Sequence, residues 1–306
     1  MTKAAGHQAI HDQRGTSRKK ASILDPNRED WIMPALYVVA TPIGNLEDVT
    51  LRAIRVLKEV KLIAAEDTRK TKRLLDHYGI HTPMTSYYEH NKMTKLGYLL
   101  RFLETGDLAL VSEAGMPGIS DPGYELVVAS ARQGVRVVPI PGPSAILAAV
   151  AVSGLPTDQF TYLGFLPRKK SARVRLLEQV SGEPRTLVAF EAPHRLIDAM
   201  KYMLEVLGDR RVAVIREVTK LHEEVFRGTI GEAMAHFQQP KGEFTIVIDG
   251  SRRESKGAST AEIQNEIAAL QRQGVPAKEA IARLVAITGL PRKELYQAWL
   301  ALKRDQ

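Results

Sequence analysis

Leu36-Tyr37-Val38-Val39-Ala40-Thr41-Pro42-Ile43-Gly44-Asn45 sets five apolar residues in a row against a turn built of Pro, Gly and Asn, and Leu51, Ile54 and Leu57 follow at near-helical spacing. A short apolar strand, a tight turn and an amphipathic helix make the repeating unit of an α/β layer structure. The unit recurs along the chain. Strand 62–65 runs through the polar loop Glu66-Asp67-Thr68-Arg69 into a helix that ends near Tyr78-Gly79. A helix over about 92–104 precedes strand 108–111. The loop 112–123 leads into a helix to residue 133, then strand 135–140, then Pro141-Gly142-Pro143-Ser144 and a helix of small residues over 145–152. After Gly154-Leu155-Pro156 a second series begins, with strands 160–166, 186–190, 212–217, 223–228 and 244–249 and helices from Arg168, from Pro193 and before the last strand.

The flanks read differently. Residues 1–34 carry Lys3, Arg14, Arg18, Lys19, Lys20 and Arg28 with no apolar period and are expected to form a mobile basic tail. The polar run 251–256 reads as a linker. Beyond it, helices over 260–272, 277–287 and 291–303 stop at or start from Gly274, Gly289 and Pro291, and each has one apolar face. The short joint Thr288-Gly289-Leu290 makes a helix-turn-helix of them. The expected organisation is a tail over 1–34, α/β domains over 35–153 and 154–250, and a helical extension over 257–306.

Composition narrows the chemistry. The 306 residues hold 43 Lys plus Arg against 35 Asp plus Glu, a net charge of +8 that favours an anionic partner, nucleic acid first. The absence of cysteine removes disulfides, thiolate zinc sites, Fe–S clusters and Cys nucleophiles, and no metal site is expected. No apolar run approaches the ~20 residues of a membrane span, and the N-terminus has no signal-peptide centre, so a soluble cytoplasmic protein is expected. The first strand turn has one glycine where a dinucleotide fingerprint needs three, and no Walker A run exists. Hydride transfer on a Rossmann site and P-loop phosphoryl transfer both lose ground.

Loops between a strand and its following helix are where open α/β sheets bind ligands. Residues 112–123, Ser-Glu-Ala-Gly-Met-Pro-Gly-Ile-Ser-Asp-Pro-Gly, place three glycines and two prolines in twelve positions. The loop is either a rigid bare surface holding a ligand by main-chain groups or a long structural turn in which Asp121 caps the next helix. Pro141-Gly142-Pro143-Ser144-Ala145 is likewise either a stiffened helix start or a second wall of the same pocket.

Taken in order, LYVVATPIGNLEDVTLRAI, AAEDTR, SEAGMPGISDPG, PGPSA, GFLPR, FEAPHR, REVTK and GEFTIVIDG resemble the tetrapyrrole methylase superfamily over roughly residues 35–250. Within it the resemblance is to the branch that methylates the ribose 2′-oxygen of a cytidine in the decoding region of 16S rRNA, and the helical tail resembles that branch's small helix-turn-helix extension. This implies two α/β domains with a cofactor cleft between them, S-adenosyl-L-methionine as cofactor, 16S rRNA or the small ribosomal subunit as partner, and a homodimer. By the same resemblance, Pro42, Ile43, Gly44, Gly115, Met116, Pro117, Ile119, Ser144 and Ala145 hold the cofactor from one side, and Phe190, Glu243, Phe244 and Thr245 from the other. The usual loop reads Ser-Asp-Ala-Gly-Thr-Pro, whereas this chain has Glu113 and Met116 at the second and fifth positions.

Methylating carbon 5 of a pyrimidine commonly requires a Cys nucleophile, which is absent here, while ribose O-methylation needs only an aligned hydroxyl, a group for its proton and cations for the flanking phosphates. Glu66, Asp67, Glu191 and His194, in loops at strand ends, are the proton-handling candidates. Against this stand an Asp67–Arg69 pair and a His194 that caps or packs its helix. Arg168, Lys169, Lys170, Arg173 and Arg175 put five cations and no acid in eight residues, either a solvated helix face or an RNA phosphate site, with Arg69 and Arg195 beside the strand-end loops. Aromatics do not interleave with these clusters, so no stacking platform is evident. A tetrapyrrole acceptor on the same fold and a DNA-binding, metabolite-sensing regulator are the competing readings.

Overall fold

The computed structural model describes residues 34–251, 260–288, 290 and 292–304. The basic N-terminal segment up to residue 33, the linker 252–256, Gly289 and Pro291 lie outside the described residues.

The first half is built on strands β1 (Ala35–Val39), β2 (Leu62–Ala65), β3 (Met84–Ser86), β4 (Leu108–Val111) and β5 (Arg136–Ile140), all parallel, in the order β3-β2-β4-β1-β5. Alternate residues face opposite sides. Val39, Ile63, Ala65, Ala109 and Val111 pack under helices α1 (Leu51–Glu59) and α2 (Thr68–His77). Leu36, Val38, Leu62, Ala64, Leu108 and Leu110 pack under α3 (Lys92–Phe102) and α4 (Tyr124–Arg132). Burial on both faces is why these strands read as unbroken apolar runs, and each fully buried leucine contributes about 1.5–3 kcal/mol. Strand β3 was not expected, because Met84-Thr85-Ser86 at the sheet edge carries no apolar pattern.

Neighbours β4 and β1 send their helices to opposite faces, since α4 packs on one side and α1 on the other. Their C-terminal loops therefore diverge and leave a crevice, the switch point at which open α/β sheets bind ligands.

Helix α5 (Ala145–Ser153) is apolar up to its final serine and starts at Ser144, whose hydroxyl accepts the Leu147 N–H at 3.4 Å. It belongs by sequence to the first series but packs on the second sheet, where Ala149 and Val150 meet Val188, Ala213, Ile215 and Val247. That sheet runs β6 (Phe160–Phe165), β7 (Thr186–Glu191), β10 (Phe244–Ile248), β8 (Arg211–Arg216), β9 (Glu224–Thr229). Only β6 and β7 are parallel; the other pairs are antiparallel, because β8 returns directly as β9 through a short loop and β10 inserts between β7 and β8. Helices α6 (Lys170–Gln179), α7 (Leu196–Leu207) and α8 (Ile230–His236) cover its other face. A capping box between Thr229 and Glu232 starts α8 and is worth about 1 kcal/mol.

Helices α9 (Thr260–Arg272), α10 (Ala277–Thr288) and α11 (Arg292–Arg304) close on a core of their own, with Ile267, Leu270, Ile281, Leu284, Leu295 and Trp299 buried together. Among the described residues no helix is long and apolar enough to cross a membrane.

Candidate active site between the two sheets

The crevice opens onto a cavity of about 480 Å³ between the strand ends of the first sheet and the inner edge of the second, within the size range of small-molecule sites. Two loops are zipped to make its floor. Thr41 N–H donates to Gly115 O at 2.9 Å and Gly115 N–H to Thr41 O at 3.0 Å, joining the turn after β1 to the loop after β4. Gly115 holds φ at +76°, a conformation that disfavours any side chain. Gly142 is required for space, since a Cβ there would lie 2.9 Å from that of Ala40.

The lining takes Ile43, Gly115, Met116, Ile119, Ser144 and Ala145 from the first wall and Phe190, Glu243, Phe244 and Thr245 from the second. Pro42, Gly44 and Pro117 are not part of it. Gly44 instead lies under the stem of Lys220, where a Cβ would come within 2.3 Å of the lysine Cγ. Lys220 reaches into the cavity from the β8–β9 loop and pairs with Glu217 at 3.0 Å and Glu243 at 2.7 Å. The Met116 side chain also packs on the core beneath α3 and α4. Glu113 pairs with Lys70, and its backbone N–H donates to Glu66 Oε2 at 3.0 Å.

Of the four proton-handling candidates, Glu66 and Glu191 line the cavity. Asp67 does not: its carboxylate caps α2 by accepting the Arg69 and Lys70 N–H groups and pairs with the Arg69 side chain at 3.2 Å. Those bonds, the Arg69 side chain's first, hold its carboxyl below the usual range. His194 is exposed on a short 3-10 turn outside the lining. Glu191 is buried, which raises its pKa, and its Oε1 accepts the Ala192 N–H at 2.8 Å.

The carboxylate that composition and spacing did not single out for chemistry is Asp121. The cap of α4 is Gly123, without a side-chain bond, so the helix-cap reading of Asp121 fails. Its carboxyl lines the cavity instead. Burial pushes its pKa up to about 7, the charge of Glu66 adds to that, and a hydrogen bond with Ser112 opposes it. Next to it Ser120, at φ 63°, meets the Tyr162 hydroxyl of β6 at 2.7 Å and ties the two walls together.

Two of the expected RNA cations are corrected. Arg173 is 3% exposed, pairs with Asp198 at 2.6 Å and donates to Pro167 O at 3.2 Å. Arg195 donates to Leu166 O at 2.5 Å and sits 3.3 Å from Glu191. Both guanidiniums pin the segment after β6 and are turned away from solvent. Arg168, Lys169, Lys170 and Arg175 are exposed, while Arg69 is exposed but leans on Asp67.

Residues 35–234 match the profile of the tetrapyrrole (corrin/porphyrin) methylases. The chain belongs to that family. Residues 257–303 match the family described as the RsmI C-terminal HTH domain. Proteins named ribosomal RNA small subunit methyltransferase I are similar over most of the chain. That of Halalkalibacterium halodurans is 46% identical over 275 residues, spanning 86% of this chain and 94% of its own. That of Thermotoga maritima is 50% identical over 221 residues, 71% of this chain and 99% of its own. Among solved structures, a diphthine synthase superposes with a TM-score of 0.56 at 13% identity, covering 70% of this chain and 90% of its own. The uroporphyrin III C-methyltransferase of Thermus thermophilus gives 0.53 at 20%, covering 70% and 97%. At those identities the likeness is one of fold.

Proposed function

We propose that this methylase transfers a methyl group from S-adenosylmethionine to the ribose 2′-oxygen of a cytidine in 16S rRNA, acting in the cytoplasm as a homodimer on the RNA or the small ribosomal subunit. The observation that carries the reading is the cavity itself: a floor of bare backbone at Gly115, apolar walls at Ile43, Met116 and Phe190, and the half-buried acid Asp121 beside the charge of Glu66, in a chain whose relatives carry an rRNA methyltransferase name over most of its length. That name favours RNA over a tetrapyrrole acceptor.

The residues present suit S-adenosylmethionine. The bare backbone at Gly115 and the apolar walls at Ile43, Met116 and Phe190 would hold it, and bound there it would supply an electrophilic methyl on a sulfonium. The chain's own part is to exclude water, align the acceptor oxygen and receive its proton. Asp121 is the group for the proton, because its raised pKa brings it near neutrality, where a carboxylate is both ionised and basic enough to accept. Glu66 and Tyr162 face it and Ser112 bonds it; Lys70 lies beyond Glu66 and partly offsets that charge. Exposed Arg168, Lys169, Lys170 and Arg175 would neutralise flanking phosphates.

The test is labelled methyl transfer to naked 16S rRNA and to assembled small subunits, followed by alkaline hydrolysis. A methylated dinucleotide surviving alkali is expected, since a 2′-O-methyl removes the nucleophile that cleaves the adjacent phosphodiester. Methylated mononucleotides released normally would sink the ribose assignment.

A further inference from the structure

Strand β6 carries a bulge that turns one aromatic side chain from the core to the cavity. Tyr162 pairs with Val188 and Phe165 with Phe190, so three steps along β6 oppose two along β7. In a regular ladder Gly164 would face Phe190, and Phe165 would follow Leu163 onto the side covered by α6–α8. The extra residue is absorbed at Gly164, whose φ of +69° a residue with a side chain rarely adopts. Phe165 thus joins Tyr162 and Phe190 on the other side, its ring 5.4 Å from that of Phe190.

There it lines the cavity yet stays 55% exposed, and Ile119 across the mouth is 48% exposed. The segment that follows is held rigid: Arg195 binds Leu166 O, and Arg173 binds Pro167 O and Arg168 O. An exposed ring on a fixed backbone offers a face on which a planar apolar group can stack. What covers it is also anionic nearby, because exposed Arg168, Lys169 and Lys170 begin three residues on, within about 10 Å of extended chain. A flat apolar face joined to a negative backbone is a nucleotide.

We propose that Phe165, with Ile119 opposite, is the stacking platform for the acceptor nucleobase at the mouth of the cavity. The proposal rests on the RNA reading above. Stacking accepts any base, so the platform supplies affinity and orientation, and the cations after it hold the phosphates.

The test compares F165A, F165L and F165W with the wild-type chain. F165A is expected to raise the KM for RNA about ten-fold, as loss of one base stack does. Its S-adenosylmethionine affinity by calorimetry should stay within about two-fold of the wild type, since the ring lies at the mouth. F165L should behave like F165A, and F165W should restore KM. Independently of turnover, F165W fluorescence should be quenched by an RNA oligonucleotide. A large loss of S-adenosylmethionine affinity in F165A would mean the ring packs on the cofactor, and a change in oligomeric state would mean it packs on a second copy; either overturns the platform. If the wild type methylates RNA while F165A keeps its KM and F165W is not quenched, the platform alone falls. If the wild type transfers no methyl to RNA, the RNA reading falls, and quenching of F165W still decides whether the ring stacks on a base.

Discussion

Asp121 shows how much one residue's surroundings decide. Its carboxyl sits at about pKa 7 against an ordinary 3.8, chiefly through burial. The fold therefore favours the neutral form: this group's stabilising share is full below pH 4 and is lost as pH rises through 7. Two opposed outcomes follow for D121N. Its thermal midpoint should exceed that of the wild type at pH 8, and the gap should narrow as pH falls and close below about pH 4, followed by circular dichroism. Its methyl transfer should drop at least about a hundred-fold, the scale of general-base loss, and the rise of kcat/KM through pH 7 should vanish. Unchanged turnover at pH 8 would mean that alignment alone carries the transfer. Nothing local marks Asp121: Asp-Pro-Gly before a helix reads as a cap, and only the packing of the loop against Glu66 and Ser112 makes it a cavity acid.

On helix α6 a run of like charges divides by face. Arg173 lies one turn before Leu177, and both are buried; that i, i+4 relation to an apolar residue is the signal in the sequence that separates it from its neighbours. R168Q/K169Q is expected to flatten the log–log salt dependence of RNA binding by about one to two units, measured by filter binding, with the melting temperature unchanged. R173A should do the reverse. It leaves Pro167 O and Arg168 O without their donor, costs about 1–3 kcal/mol, and lowers the melting temperature while leaving the salt slope within error. A flattened slope in R173A would return the residue to the phosphate site.

Across the whole molecule, α5 follows β5 of the first sheet but covers one face of the second. The halves are tied across the cavity by the Ser120–Tyr162 and Asp48–Thr219 side-chain hydrogen bonds, so they are expected to unfold together. The helices beyond residue 259 are another matter, because their buried residues form a cluster of their own. The Thermotoga maritima relative reaches 99% coverage within 221 aligned residues, about the length of the two sheets here. A chain ending at Ser251 is therefore expected to keep its melting transition and its S-adenosylmethionine affinity, read by calorimetry. Its RNA affinity should fall and its salt slope should shrink, because the segment removed carries cations in excess. Loss of cofactor binding on truncation would show that the extension shapes the cavity.

Strand and helix positions from β1 to β10, apart from short β3, could be read within about three residues, since apolar period and Gly/Pro punctuation are local consequences of backbone geometry and burial. The strand-end loops could be picked out as candidates for a cavity wall for the same reason: bare backbone needs Gly and Pro in the sequence. Which side chains enter the cavity could not. Asp67 and His194 stand beside Glu66 and Glu191 in the chain but point elsewhere, Asp121 enters through the packing of a twelve-residue loop, and Phe165 changes sides through one bulge. Strand order, the packing of α5 on the second sheet and the burial of Arg173 belong with these. Each depends on pairing between residues tens of positions apart, where the free energy of burying one face against another, and not any neighbour in sequence, selects the arrangement.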